Sequence, residues 1–174
     1  MIDLSNATFI IPIRIESSDR LRNVITTTAF LLENFDTNII IKEVDSESVF
    51  KREALPILKD ILDVDVNVNH IFERSDASLF HRQKVLNEMI MEANTEIVIN
   101  YDCDVLLPIE SYRWSYQSIL NKMYDIVYPY GQGMYQKQVF ATDEIVSQFL
   151  QSGNFEYLDK NSKVHSSDYG WVQF

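Results

Sequence analysis

Glu96-Ile97-Val98-Ile99-Asn100-Tyr101-Asp102-Cys103-Asp104 is a short β-branched, apolar run that ends on two acids two residues apart. A brief run with Ile97-Val98-Ile99 at its centre suits a strand of a parallel sheet, which is buried on both faces. It predicts a strand over Glu96 to Tyr101, followed at once by Asp102 and Asp104. In open α/β sheets ligands bind beyond the carboxyl ends of the strands, so this run also marks where a site is expected.

The segments around it alternate in type. Thr8 to Ile13 predicts a buried strand closed by Pro12 and a polar stretch. Ser17-Ser18-Asp19 offers caps for a helix over Arg20 to Glu33, with Leu21, Val24, Ile25 and Thr28 at helical spacing. Asn38 to Val44 predicts a second strand, and Ser48 to Leu62 a helix that Pro56 kinks or splits. Val64, Val66 and Val68 alternate with polar residues, predicting a half-buried strand over Val64 to Phe72. Ser78 to Ala93 is the clearest helical pattern, with Phe80, Val85, Leu86, Met89 and Ile90 on one side. Downstream, a helix is expected over Ser111 to Met123, a strand over Asp125 to Pro129, a turn at Gly131-Gln132-Gly133, and a helix over Gln138 to Leu150. Ser152 to Asp168 is polar and poorly periodic. Strands alternating with helices imply an α/β fold, a mainly parallel sheet with helices on both faces. The carboxyl ends of its strands carry Arg14 and Glu16, Asp45, and Asp102 with Asp104.

Bulk properties narrow the function. The 174 residues predict a single domain over 1–174, and 46% hydrophobic with 12% aromatic residues is a globular composition. A formal charge of -11 opposes nucleic-acid binding and docking on anionic lipid. A phosphate-bearing ligand would need a few placed cations or a bound metal. No apolar run reaches the length of a membrane span, so no membrane insertion is expected. A single cysteine, Cys103, and a start without a basic or apolar leader point to a cytoplasmic location.

Asp102 and Asp104, at i and i+2, would face one way on a strand end and share one hard cation or its waters. A solvated loop or capping pair is the plainer reading of a bare D-x-D. Arg82 and Lys84 are two apart and share no helix stripe unless they lie in a first, irregular turn. There they would reach phosphate beside a helix N-terminus, the alternative being an ordinary solvated helix start. His70, His81 and His165 lack metal-ligand spacing. Cys103 between two acids is a poor nucleophile and reads as a small buried side chain. Tyr128, Tyr130 and Tyr135 near Gly131 and Gly133 suit either a sugar-stacking wall or core packing, as do Trp114 and Trp171.

Phe80-x-Arg82-x-Lys84-x-x-Asn87 before a helix, then a strand, D-x-D and Pro108 resembles the β-1,4-galactosyltransferase and chondroitin-polymerase type of GT-A glycosyltransferase. Pro12-Ile13-Arg14 is similar to that family's P-F-R, and Val172-Gln173-Phe174 to the segment before its glycine pair. The resemblance implies the GT-A arrangement, Rossmann-like and of the spore-coat-polysaccharide-synthesis type. It also implies transfer of a hexose from a UDP-sugar donor to a hydroxyl of a saccharide acceptor. By that resemblance Pro12 and Arg14 contact the nucleotide, and Asp45 sits near uracil and ribose. Arg82 and Lys84 lie by the diphosphate, Asp102 touches ribose or donor sugar, and Asp104 with Asp102 ligates Mn2+ or Mg2+. Two departures are Glu16, where the family has a second Arg, and the absence of Gly after Asn87. The resemblance places the general base and a further metal ligand beyond Phe174, so that by it the chain looks C-terminally truncated. A non-catalytic nucleotide- or sugar-binding remnant therefore stays open as an alternative. A sugar-nucleotidyltransferase is a weaker one, because Pro12 to Ser17 holds no glycine. A glycosidase is weaker still, its paired acids needing a sugar's width between them.

Overall fold

The structure, a computed structural model, describes residues 1–131 and 136–165. The chain divides into two compact units, Met1–Leu106 and Leu107–Phe174.

The first unit is built on four strands, β1 (Ile2–Ile13), β2 (Phe35–Asp45), β3 (Asn69–Arg74) and β4 (Ile97–Asn100). All neighbours are parallel and the order is β3-β2-β1-β4. Helices α1 (Ser18–Asn34), α2 (Leu55–Leu62) and α3 (Arg82–Glu92) connect them, giving a Rossmann-like α/β sheet flanked by helices. Side chains alternate along each strand, and this sorts the core. Ile10, Ile40 and Val44 pack with Val85, Leu86 and Met89 of α3 on one face. On the other, Phe9 meets Phe35 at 6.4 Å between ring centroids, and Phe35 meets Phe30 of α1 at 6.1 Å.

Strand β1 begins six residues before the expected Thr8. Pairing runs Ile2↔Phe35 and Asp3↔Asp36, then slips to Thr8↔Asn38. The slip strands carbonyls that side chains of β2 recover: Asn38 Nδ2 donates to the carbonyls of Ser5 and Ala7, and Thr37 Oγ1 to that of Ala7. Polar Asp3, Ser5 and Asn6 thus belong to an irregular strand that alternation does not detect.

Helix α1 starts where the polar cluster predicted, Ser17 Oγ accepting from Arg20 N at 3.3 Å. Pro56 splits the next helix. Without an N–H it cannot continue the regular ladder, and Phe50–Ala54 form a π-helical turn closed by Leu55 N to Phe50 O. The strand expected from Val64 is corrected: β3 begins at Asn69. Helix α2 ends on Asp63 in the left-handed conformation, and residues 64–68 carry the chain back to the sheet, whose first pairing is Ile40↔Asn69. Val64 is 63% exposed and Val66 and Val68 are half-buried, so the valine alternation there marks a partly covered loop without a strand partner.

Strand β2 buries a charge on each face. Lys42 bonds Glu88 and lies 3.1 Å from Glu73. Glu43, fully buried, accepts from Ser48 Oγ at 2.6 Å and Phe50 N at 2.9 Å, with His70 Nε2 at 3.1 Å.

The second unit contains α4 (Ile109–Leu120), β5 (Lys137–Val139), α5 (Asp143–Ser152), α6 (Phe155–Lys160) and β6 (Ser162–Val164), with β5 antiparallel to β6. The strand expected over Asp125 to Pro129 does not form, and Ile126 is exposed. The helix expected from Gln138 starts at Asp143, where Thr142 Oγ1 accepts from Ile145 N. The residues before it are drawn into β5 by a partner more than twenty positions away. Gln132, Gly133, Tyr135, Asp168, Trp171 and Val172-Gln173-Phe174 lie outside the described residues.

Candidate functional site

The strand order reverses between β1 and β4, since the chain steps β1, β2, β3 in one direction and then returns to the far side of β1. Such a switch point is where open parallel sheets form a ligand crevice. The last ladder bond there is Tyr101 N to Ile10 O at 3.1 Å. Two residues on, Pro12 brings no N–H to the same side of β1, so β4 ends and the strands part. Pro12 is buried at this parting, paired in register with Lys42 on its other side.

This corrects the placement of the acids. Asp102 and Asp104 lie in a turn after β4 and not on an extension of the strand. The turn is tied at both ends. Tyr101 Oη donates to Val105 O at 2.8 Å, and Thr27 Oγ1 of α1 donates to Cys103 O at 2.9 Å. Cys103 is buried, and burial first, Asp104 second, pushes its thiol up to about 11.

The two carboxylates differ. Asp102 Oδ1 accepts from Arg82 Nη2 at 2.6 Å, while the same guanidinium nitrogen lies 3.3 Å from Asn100 Oδ1. Asp104 is open to solvent at its surface, yet its carboxyl pKa is raised. The protein mass around it is the largest cause, and the Asp102 charge is next; Arg20 and Arg82 pull the other way.

Helix α3 begins at Arg82, four residues after the expected Ser78, with Lys84 in its first turn. They diverge from there. Lys84 lies 3.4 Å from Glu73 and 3.5 Å from Glu88, joining Lys42 in a four-charge network on the α3 face of the sheet. Arg14, at the end of β1, binds backbone: Nε to Val44 O at 2.9 Å, and Nη1 to Ala77 O and Ser78 O at 3.0 and 3.2 Å. Its guanidinium carbon stands 5.5 Å from the Phe80 ring centroid. Arg14 thereby fixes the loop leading into α3, and its Nη2 is buried with no hydrogen-bond partner among the described residues. Asp45 caps the end of β2, its Oδ1 accepting from Ser46 N at 2.7 Å and its carbonyl from Ser75 N at 2.8 Å.

The edge therefore gathers Arg82, Asn100, Asp102 and Asp104, with Arg14 and Asp45 shaping the adjoining loops. Sequence reading missed Arg20 and Asn100. Arg20 lies in an ordinary-looking first turn of α1, and only the docking of α1 onto the turn after β4 brings its charge to Asp104.

A divalent cation fits the chemistry of this donor set. Two oxygen acids suffice for Mg2+-like ions, which keep several waters and take further oxygens from a substrate's phosphates. Asp104, destabilised in its charged form by Asp102, is relieved by a cation. Among the described residues no group of three or more His, Cys, Asp or Glu is arranged to hold a metal. Among the described residues no helix is long and apolar enough to cross a membrane. Set against known protein families and curated proteins, the chain matches none of them.

Proposed function

We propose that the chain binds a nucleoside-diphosphate sugar through a divalent cation at Asp102 and Asp104, and serves as the donor-binding part of a glycosyltransferase. The observation that carries this reading is the pair of acids at the switch point: one is clasped by Arg82, the other is exposed and crowded by its neighbour's charge. An acidic chain of net charge -11 repels a diphosphate. A cation at this pair, with Arg82 beside it and Arg20 near Asp104, reverses the sign locally.

Asp104 and Asp102 would hold Mn2+ or Mg2+. When bound, the ion neutralises charge that grows on a departing diphosphate. The residues do the rest. Arg82 orients Asp102, the ties from Tyr101 and Thr27 hold the acids' turn in place before ligand arrives, and Arg14 fixes the loop ahead of α3. Preorganisation of this kind lowers the ordering cost of binding. The transfer read from the resemblance moves a hexose from a UDP-sugar to a saccharide hydroxyl. Deprotonation of that hydroxyl needs a separate, positioned base, and both acids at this edge are committed to the cation.

Calorimetry tests the reading. UDP is expected to bind in Mn2+, to lose affinity in EDTA, and to lose it equally in Asp104→Asn with Mn2+ present. Equal affinity in Mn2+ and EDTA overturns it. A second reading, a non-catalytic nucleotide-binding module, predicts metal-dependent UDP binding with no turnover of any UDP-sugar.

A further inference from the structure

The cations around the acid pair are not equally available. Arg82 is bonded to Asp102, Lys84 lies within 3.5 Å of both Glu73 and Glu88, and Arg14 donates to the carbonyls of Val44, Ala77 and Ser78. At the start of α1, Arg22 holds Asp19 at 2.9 Å. Arg20, in the first turn of α1, is exposed. Among the described residues its side chain has neither a hydrogen-bond acceptor nor a carboxylate within ion-pair distance. Its direction follows from helical spacing. Arg20, Val24, Thr27 and Leu31, at i, i+4, i+7 and i+11, fall on one stripe of α1. Val24, Thr27 and Leu31 are buried, and Thr27 Oγ1 donates to the carbonyl of Cys103, between the two acids, at 2.9 Å. Arg20 ends this stripe two turns, or about 10 Å, nearer the helix N-terminus than Thr27. Because α1 follows β1, that N-terminus opens at the carboxyl edge of the sheet, where the acids lie. Arg20 thus stands at the rim of the acid turn, and its charge is felt at Asp104 and Cys103.

Resting on the cation-anchored nucleotide reading above, we propose that Arg20 takes the diphosphate of the ligand, which then lies between the start of α1 and the turn carrying Asp102 and Asp104. A guanidinium grips phosphate oxygens in pairs through its planar fork. One nitrogen of Arg82 is already turned to Asp102 and Asn100, so a phosphate reaching Arg82 competes with a bond inside the protein. Arg20 gives up no such bond when it turns to a ligand. The positive end of a 17-residue helix lies behind it, and Asp19, the acid next to it in sequence, is neutralised by Arg22. The two arginines therefore divide the work: Arg82 orients an acid, and Arg20 meets the anion.

Calorimetry on the whole chain in excess Mn2+ tests the assignment, with UDP and methylenediphosphonate (a diphosphate without base or sugar) as ligands. Arg20→Ala should weaken UDP about tenfold or more, the loss expected for charge-assisted bonds to one phosphate, and Arg20→Lys should recover part of it. Arg22→Ala, which removes a charge from the same end of α1 but from a side chain held by Asp19, should stay within about twofold of wild type. Mn2+ alone should bind Arg20→Ala at least as tightly as wild type, since a nearby positive charge is gone. UDP that binds wild type and Arg20→Ala equally overturns the assignment and leaves the metal-nucleotide reading standing. An equal loss of UDP in Arg22→Ala also overturns it, as does a loss of Mn2+ affinity alongside that of UDP in Arg20→Ala. If methylenediphosphonate binds through Arg20 while UDP does not bind at all, Arg20 keeps its role and the sugar-nucleotide reading falls. If neither ligand binds wild type, both fall.

Discussion

Replacing Glu43 probes a fully buried charge of the first unit that takes three hydrogen bonds. The side chain is completely buried and accepts from Phe50 N, Ser48 Oγ and His70 Nε2. Glu43→Ala strands these donors to different degrees. Phe50 N is buried and loses its partner outright, a penalty of ~1–3 kcal/mol. His70 is nearly buried and loses a charge-assisted bond, while Ser48 is half-exposed and regains water. With the gap left by the side chain, the total is about 3–5 kcal/mol, the usual cost of removing one partner from a buried polar pair. Against a typical whole-domain stability of ~5–15 kcal/mol this is severe. Glu43→Gln keeps the shape and one acceptor for Phe50 N, and should cost about 1–2 kcal/mol.

The same contacts fix the pH response. Burial alone raises the Glu43 pKa, but the bonds from His70, Ser48 and Phe50 N outweigh it and leave the pKa lowered from 4.5. A folded-state value below the unfolded one means stability that is complete above the unfolded pKa and lost as pH falls through the folded pKa. Urea unfolding followed by circular dichroism from neutral pH down to below pH 4.5 reads this directly, the decline starting near that value. Lowered Glu73 and Glu88 contribute a similar acid loss through Lys42, so the informative quantity is the difference between wild type and Glu43→Gln. That difference should shrink as pH drops. A difference independent of pH, or a Glu43→Ala cost below about 1 kcal/mol, refutes the buried-network account.

Other outcomes follow from the site's geometry. Lys84→Ala should leave UDP affinity in Mn2+ within about twofold, because Lys84 is spent on Glu73 and Glu88; urea unfolding should register a loss of about 0.2–1 kcal/mol, typical of an exposed pair. Native protein should resist alkylation by iodoacetamide at pH 8 and react promptly in urea, since Cys103 is buried with its pKa near 11; mass spectrometry reads the adduct.

Much of the first unit was legible in the sequence, and the reason is local. Ser17 caps α1 by a bond three residues long, Pro56 breaks a ladder it cannot join, and the β-branched Ile97-Val98-Ile99 run forms β4, although Val98 on one face is exposed. What misled was alternation without a partner. Val64, Val66 and Val68 carry the period of a strand, but no β2 residue before Ile40 pairs with β3. The second unit was read poorly for the converse reason: β5 and β6 are three residues each and exist only because they find one another across α5 and α6. At the edge, spacing singled out Asp102 and Asp104 and placed Arg82 and Lys84 at the start of a helix. It could not show that Lys84 turns to Glu73 while Arg82 turns to Asp102, since that depends on which strand end faces each side chain.

On the proposed reading, a cation at the edge would share Asp102 with Arg82, and that competition would set the order of events there. With Oδ1 of Asp102 already bonded at 2.6 Å to the guanidinium, Asp104 would be the anchor for the proposed ion, and the local formal charge of the two acids with Arg82 is a single negative unit. Arg82→Ala removes the competitor and doubles that charge. Removing a unit positive charge from the neighbourhood of a divalent ion is worth on the order of 1 kcal/mol at the dielectric of water for a separation of several ångström, so Mn2+ alone should bind several-fold to about tenfold tighter in the variant. UDP in saturating Mn2+ should bind more weakly, because the diphosphate loses a neighbouring cation and Asp102 loses the partner that orients it. The two effects have opposite signs, which general unfolding or loss of one binding contact does not produce. Calorimetry of Mn2+ alone and of UDP in excess Mn2+, on wild type and Arg82→Ala, separates them. A variant that weakens or strengthens both together refutes the assignment of Arg82 to Asp102 as a charge that the metal must share.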